Sequence, residues 1–108
     1  MANFVIETSQ IRDWDSFHDV FQDALKFFEG YGRNMDAWID CMSDFHGDTA
    51  LSNHQLPEGE SIALVLRDAE DFRKRCPEIA NELFDCAAFV NRRYIGWGRI
   101  ERVTLIPE

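Results

Sequence analysis

An uninterrupted apolar run at residues 62–66 constrains the fold of this 108-residue chain more than any other feature. It reads Ile-Ala-Leu-Val-Leu, without the alternation of polar and apolar residues that marks a strand with one face in water. Such a run is typical of a strand covered on both faces in a parallel sheet. Shorter β-prone segments at residues 4–6 and 103–106 predict two further strands. We therefore expect three strands, with the second of them buried.

Between the first two predicted strands, apolar residues recur at the three- and four-residue spacing of amphipathic helices. The expected N-caps of two helices are Asp15 and Asn34, and Gly30 and Gly32 mark the end of the first helix. The apolar stripe of the first helix comprises Phe17, Val20, Phe21, Ala24, Leu25 and Phe28. The stripe of the second comprises Met35, Trp38, Ile39, Met42 and Phe45.

Residues 46–61 are polar and are expected to form a long loop, after which the buried strand follows. Residues 68–75 then fit a short helix, and Pro77 fits the first turn of a longer one. The buried face of this last helix is expected to comprise Ile79, Ala80, Leu83, Phe84 and Ala87. The order β-α-α-β-(α)-α-β predicts an α/β fold, in which helices pack on a small three-stranded parallel sheet and residues 1–108 form a single domain.

The charge of the chain is distributed unevenly. Twenty acidic and eleven basic residues give a net charge of −9 at pH 7. Residues 1–60 contain twelve acidic and three basic residues, whereas residues 61–108 contain eight of each sign. A negative surplus argues against direct binding to nucleic acid phosphates, and an anionic membrane surface would repel the chain. The excess in the first 60 residues therefore needs an explanation of its own.

Three carboxylates, from Asp36, Asp40 and Asp44, fall within an arc of about 80° on the second helix, and Ser43 lies in the same arc. Each like-charge pair four residues apart costs roughly 0.2–0.5 kcal/mol, so helix stability does not favour this arrangement. The pattern is compatible with a solvated acidic face, a docking surface for a basic protein, a metal site or a catalytic carboxylate pair. One convex face converges poorly on a metal ion, and exposed carboxylates lack the pKa shifts of a catalytic pair.

The cysteines and histidines show no catalytic or metal-binding pattern. The cysteines are Cys41, Cys76 and Cys86. Three are too few and too widely spaced for a disulfide framework or a zinc site, which indicates reduced, buried thiols. His18 is expected at the edge of the core, and His46 and His54 in solvent. No signal peptide or membrane span is visible, so we expect a cytoplasmic protein without a cofactor.

Residues 31–41 resemble the central motif of the barstar family of ribonuclease (barnase) inhibitors. They read Tyr-Gly-Arg-Asn-Met-Asp-Ala-Trp-Ile-Asp-Cys and match all seven fixed residues of the family motif Tyr-Gly-x-Asn-x-Asp-Ala-x-x-Asp-Cys. Ile11 and the pair Phe17-His18 also resemble the start of the family's first helix. The detailed similarity covers residues 11–45, and beyond them the order of elements agrees. The resemblance implies an inhibitor, not an enzyme, that binds a basic ribonuclease as a monomer or in a one-to-one complex.

In that family, the second helix and the loop before it plug the active site of the nuclease. The resemblance implies that Asp40 takes the place of a substrate phosphate and that Asp36 pairs with a neighbouring Arg or Lys. The remaining implied contact residues are Tyr31, Gly32, Asn34, Met35, Ser43, Asp44 and Phe45. An alternative is an acidic interaction module that docks on a basic protein other than a nuclease. A carboxylate-dependent or metal-dependent enzyme is a third class.

Some positions depart from the family pattern. Gly30 stands where the type member has an aromatic contact residue, and Trp38 and Ile39 reverse the order of a bulky pair. Asn91 stands near the expected position of a further acidic contact. These departures bear on which nuclease is bound and not on the implied binding mode.

Overall fold

The computed structural model describes residues 1–46 and 56–108 of the chain. Its strands are β1 (Ala2–Glu7), β2 (Ile62–Arg67) and β3 (Val103–Pro107). All pairings are parallel, and the order across the sheet is β1-β2-β3. The predicted α/β fold with a small three-stranded parallel sheet is confirmed.

The central position of β2 explains its apolar sequence. Val65 of β2 lies opposite Val5 of β1 on one side and opposite Ile106 of β3 on the other. The buried residues of this strand are Ile62, Ala63, Leu64 and Leu66. Because parallel neighbours require a crossover connection, helices fill both connections and cover the sheet. The strand predicted from the apolar run is therefore the middle of the sheet.

The described residues contain four α-helices and one short 3₁₀ turn. The helices are α1 (Trp14–Leu25), α2 (Met35–Met42), α3 (Ala69–Arg75) and α4 (Pro77–Gly96), and the turn is Thr8–Gln10. The predicted order of elements is confirmed, and Pro77 lies in the first turn of α4 as expected. The predicted loop lies partly outside the described residues, and residues 56–61 contain no helix or strand.

The first residue of α1 differs from the prediction, because the N-cap is Asp13 and not Asp15. The backbone N–H of Ser16 donates to Asp13 Oδ1 over 2.9 Å, and the backbone N–H of Asp13 donates to Ser16 Oγ over 3.0 Å. This reciprocal capping box satisfies two otherwise free donors. If Asp15 were the N-cap, His18 would be the residue whose side chain bonds back to the cap. The side chain of His18 is instead buried in the core.

The end of α1 also comes earlier than predicted. Lys26 adopts the left-handed backbone conformation, with φ of 54°, and ends the helix before Gly30. Phe28, which was expected in the buried stripe, therefore lies outside the helix and is 39% exposed. A short connection of residues 26–34 then leads to α2.

The core packs α2 against α1 and α4. Trp38 of α2 is fully buried, and its ring centroid lies 5.8 Å from that of Phe21 in α1. At the other end, the hydroxyl of Tyr94 in α4 donates to the carbonyl of Met42 over 3.0 Å. These contacts determine which side of α2 faces solvent.

Candidate functional site

The loop before α2 turns into the helix at Asn34. Its Oδ1 accepts a hydrogen bond from the backbone N–H of Ala37 over 2.8 Å, which confirms the predicted N-cap. Gly32 lies close to this first turn, since a Cβ at its position would be 3.3 Å from Ala37 Cβ. A side chain there would press the loop away from the helix. The loop therefore places Gly32, Asn34 and Met35 together at the start of α2.

Arg33 ties the loop to α1. Its backbone is left-handed, with φ of 55°, and its guanidinium donates to the carboxylate of Asp19 over 2.9 Å and to the carbonyl of Asp15 over 3.0 Å. It also donates to Gln22 over 3.2 Å. One guanidinium can serve three acceptors because it carries five N–H donors. Sequence reasoning missed this residue, since its partners lie 11 to 18 positions away and only the packing brings them together.

Tyr31 and His18 form a buried pair beneath the loop. The Tyr31 hydroxyl and His18 Nδ1 are 2.6 Å apart, and both side chains are almost completely buried. Burial lowers the pKa of His18 and raises the pKa of Tyr31, so both groups are neutral at pH 7. His18 is hydrogen-bonded, but it is buried in the core, so the prediction that it lies at the edge of the core is wrong. The ring of Tyr31 is therefore part of the core that supports the connection between α1 and α2.

Asp36 and Asp40 lie one turn apart on the exposed side of α2. Asp36 is in the first turn, where the helix dipole favours a negative charge. The side chain of Asp40 is 57% exposed, and its Oδ1 accepts a hydrogen bond from Arg93 Nη1 of α4 over 2.9 Å. The sequence could not reveal this ion pair, because 53 positions separate its members.

The three carboxylates predicted on one face of the second helix do not all lie on α2. Because α2 ends at Met42, Asp44 lies beyond the helix, and its placement on the helical face was wrong. Ser43 is buried and donates its hydroxyl to the carbonyl of Ile39 over 2.6 Å. Phe45 is fully buried. Asp44 is half-buried, which raises the pKa of its carboxyl, and it is the member of this group that reaches the surface.

A groove of about 360 Å³ lies where the end of α2 meets α4 and the turn that follows α4. Its lining residues are Asp40, Ser43, Asp44, His46, Arg93, Trp97 and Arg99. Arg99 donates to Glu101 through two hydrogen bonds of 2.9 and 2.7 Å, and these bonds lower the pKa of Glu101 to about 2. Carboxylates and guanidinium groups therefore share the groove, which is less acidic than the sequence pattern indicated.

A smaller hollow of about 260 Å³ lies beside the loop. It is lined by Trp14, His18, Arg33, Asn34 and Met35. Trp14 is 37% exposed and its ring stacks on that of His18 at 6.0 Å. Sequence reasoning did not single out Trp14, because the predicted cap at Asp15 placed it before the helix, whereas it is the first residue of α1.

The positions that depart from the family pattern have structural explanations. The ring of Phe28 covers Gly30, since a Cβ at Gly30 would be 2.5 Å from Phe28 Cε2. Trp38 and Ile39 are both buried, so their order affects the core and not the surface. Asn91, expected near a partner contact, exchanges two hydrogen bonds of 2.9 and 2.8 Å with the backbone of β3. Its amide therefore fastens α4 to the sheet.

The described residues contain no group of three or more His, Cys, Asp or Glu side chains placed to hold a metal ion. All three cysteines are free and buried, as predicted. Burial raises the pKa of Cys41 to about 12 and that of Cys86 to about 11. His46 is half-buried, with Nε2 3.0 Å from the carbonyl oxygen of Glu60, so its predicted exposure is wrong. His54 lies outside the described residues.

These features define a small α/β protein with two exposed carboxylates on one helix and a polar loop braced at the start of that helix. The chain belongs to the barstar family: the model of this family, described as Barstar (barnase inhibitor), matches residues 1–105. The family is one of inhibitors and not of enzymes. None of the curated proteins compared with the chain matches it. Within the described part of the chain, no helix has both the length and the apolar character needed to cross a membrane.

Proposed function

We propose that this protein inhibits a basic ribonuclease by inserting α2 and the loop before it into the active site of the enzyme. The observation that carries the proposal is the pair of exposed carboxylates, Asp36 and Asp40, one turn apart beside a braced loop. Family membership supports the same function, since the family is described as an inhibitor of barnase. The complex is one-to-one and forms in the cytoplasm, where it protects the cell that makes the enzyme.

The chemistry of the enzyme explains why carboxylates suit this role. A ribonuclease must hold a polyanionic substrate, so its active site carries Arg and Lys side chains. A carboxylate accepts two parallel hydrogen bonds from an Arg fork in the way that a phosphate does. Asp40 occupies the position of a substrate phosphate, and Asp36 pairs with a neighbouring cation. The negative field of the chain raises the association rate, and salt weakens this effect.

The remaining residues of the implied site divide into two groups. Gly32, Asn34 and Met35 form the edge of the contact at the start of α2, and Asp44 contacts the partner at the other end. The side chains of the second group are buried and hold the face from beneath; they are Tyr31, Ser43 and Phe45. Because the loop and helix are already braced, binding orders few additional side chains.

Replacement of Asp40 by Ala tests the proposal. We expect Asp40→Ala to weaken binding by about 2–5 kcal/mol, which is more than about 30-fold, because an enzyme cation is left buried without a partner. The measurement is the inhibition constant of the purified chain against the ribonucleases of the organism that encodes it. The matched control is Asp23→Ala in α1, which removes the same charge from a side chain that is 89% exposed. We expect the control to change the inhibition constant less than about threefold.

Two results would contradict the proposal. Equal inhibition by the native chain and Asp40→Ala would show that α2 does not enter the active site. Binding of a basic protein without inhibition of any ribonuclease would instead favour the acidic interaction module that docks on a non-nuclease partner.

A further inference from the structure

Arg93 of α4 is held in place on the exposed surface next to Asp40. Its Nη1 lies 2.9 Å from Asp40 Oδ1, and its guanidinium lies over the ring of Phe89 at 5.4 Å. Its side chain is 34% exposed. The carboxylate and the aromatic ring both restrain the guanidinium beside Asp40.

This contact changes the charge that a partner meets at Asp40. One oxygen of the Asp40 carboxylate already accepts from Arg93. A partner guanidinium that bonds both oxygens shares this oxygen with Arg93 and comes to lie close to it, and like charges across an interface disfavour binding. Arg99 adds little to this repulsion, because its hydrogen bonds to Glu101 neutralise it. Arg93 therefore opposes a partner that offers only cations here.

We propose that Arg93 is a specificity-determining residue, which selects ribonucleases that place an acidic group beside the cation that binds Asp40. This acidic group accepts a hydrogen bond from Arg93 while the partner's cation binds the Asp40 carboxylate. A nuclease with only basic groups at this point binds less well. The inference rests on the proposed function and adds to it the charge pattern of the enzyme.

The chain offers a matched control for Arg93. Arg92 is the preceding residue, and its guanidinium lies over the same Phe89 ring at 5.6 Å. Among the described residues, no ion pair joins Arg92 to a carboxylate. Arg93→Gln and Arg92→Gln thus remove the same charge, and the same kind of cation–π contact with Phe89, from neighbouring positions. A difference between the two variants reports the contact with Asp40 and not the net charge.

The first experiment uses hexa-arginine, a probe that has cations and no carboxylate. Its affinity for the native chain, Arg93→Gln and Arg92→Gln is measured by calorimetry at low salt. We expect Arg93→Gln to bind the peptide about threefold more tightly than Arg92→Gln does. In an Asp40→Ala background, the difference between the two variants is expected to vanish. Equal affinities of the two single variants would overturn the proposal.

The second experiment repeats these measurements with a peptide of alternating Arg and Glu residues, which offers an acidic group beside each cation. We expect Arg93→Gln to bind this peptide more weakly than Arg92→Gln does, because the acidic group loses Arg93 as its donor. Equal affinities, or tighter binding by Arg93→Gln, would also overturn the proposal. The peptide experiments need no nuclease, so their failure counts against Arg93 alone. A native chain that inhibits no ribonuclease of its own organism counts against the proposed function.

Discussion

At the scale of single residues, the loop before α2 rests on a neutral, buried pair of side chains. His18 Nδ1 and the Tyr31 hydroxyl bond to each other at 2.6 Å in the core, directly below the loop that carries Gly32 and Asn34. Burial is the main cause of the lowered pKa of His18; Arg33 lowers it further, and Asp15 and Asp19 oppose the shift less strongly. Protonation of His18 would place a charge in this poorly solvated site.

We expect this pair to make stability depend on pH. Because the pKa of His18 is lowered from 6.5 in the folded protein, the unfolded chain takes up the proton first as the pH falls. The contribution is complete above pH 6.5 and is lost progressively below that value. The free energy of unfolding, measured by urea denaturation from about pH 8 to about pH 5, should fall less for His18→Gln than for the native chain. Parallel curves for the two proteins would contradict this assignment.

Individual contacts show what could be predicted from the sequence and what could not. Asn34 was identifiable because an N-cap and the backbone N–H that donates to it lie three positions apart. The pairs Asp40–Arg93 and Asp19–Arg33 were not, because they form between elements whose relative placement no local pattern contains. Asp44 was misplaced because a helical wheel assumes that the helix continues, and α2 ends at Met42.

At the scale of elements, α2 is too short to be stable by itself. It has eight residues, and isolated helices below about 12 residues are marginal in water. Its conformation depends on the cap at Asn34 and on the packing of Trp38 and Met42 against α1 and α4. The carboxylates of Asp36 and Asp40 are therefore positioned by contacts on the opposite side of the helix.

The cap should affect both stability and binding. We expect Asn34→Ala to lower the free energy of unfolding by about 1 kcal/mol, because the N–H of Ala37 loses its acceptor. Inhibition should weaken as well, since the proposed contact includes the loop and the first turn of α2. Denaturant unfolding and inhibition assays measure the two effects. Asn34→Asp keeps a capping oxygen and should retain native stability, so an equal loss in both variants would contradict this role.

The order of elements was predictable where the chain has a continuous apolar run or a local marker of a helix end. The run at residues 62–66 identified the central strand, and Pro77 located the start of α4. The ends of α1 were not predictable, because Asp13 and Asp15 are both acceptable caps until the reciprocal bond from Ser16 is known. The left-handed turn at Lys26 has no glycine to mark it.

At the scale of the whole molecule, the net charge of −9 lies entirely in residues 1–60, which include both α1 and α2. Under the proposed function, acidic side chains of α1 add to the long-range field, and Asp36 and Asp40 contact the partner directly. The basic residues of the second half are balanced by acidic ones, and Arg93 places one of them beside Asp40. Under the two proposals, long-range attraction and local selectivity thus come from different halves of the chain.

The central claim is that α2 occupies the active site of a ribonuclease. Competition tests it most directly: the affinity of the chain for the ribonuclease that it inhibits is measured by calorimetry with and without a nucleoside monophosphate bound in the active site. With the nucleotide at about 100 times its own dissociation constant, we expect the apparent affinity to fall about 100-fold, as for two ligands of one site. An unchanged affinity would show that the chain binds elsewhere on the enzyme and would contradict the claim.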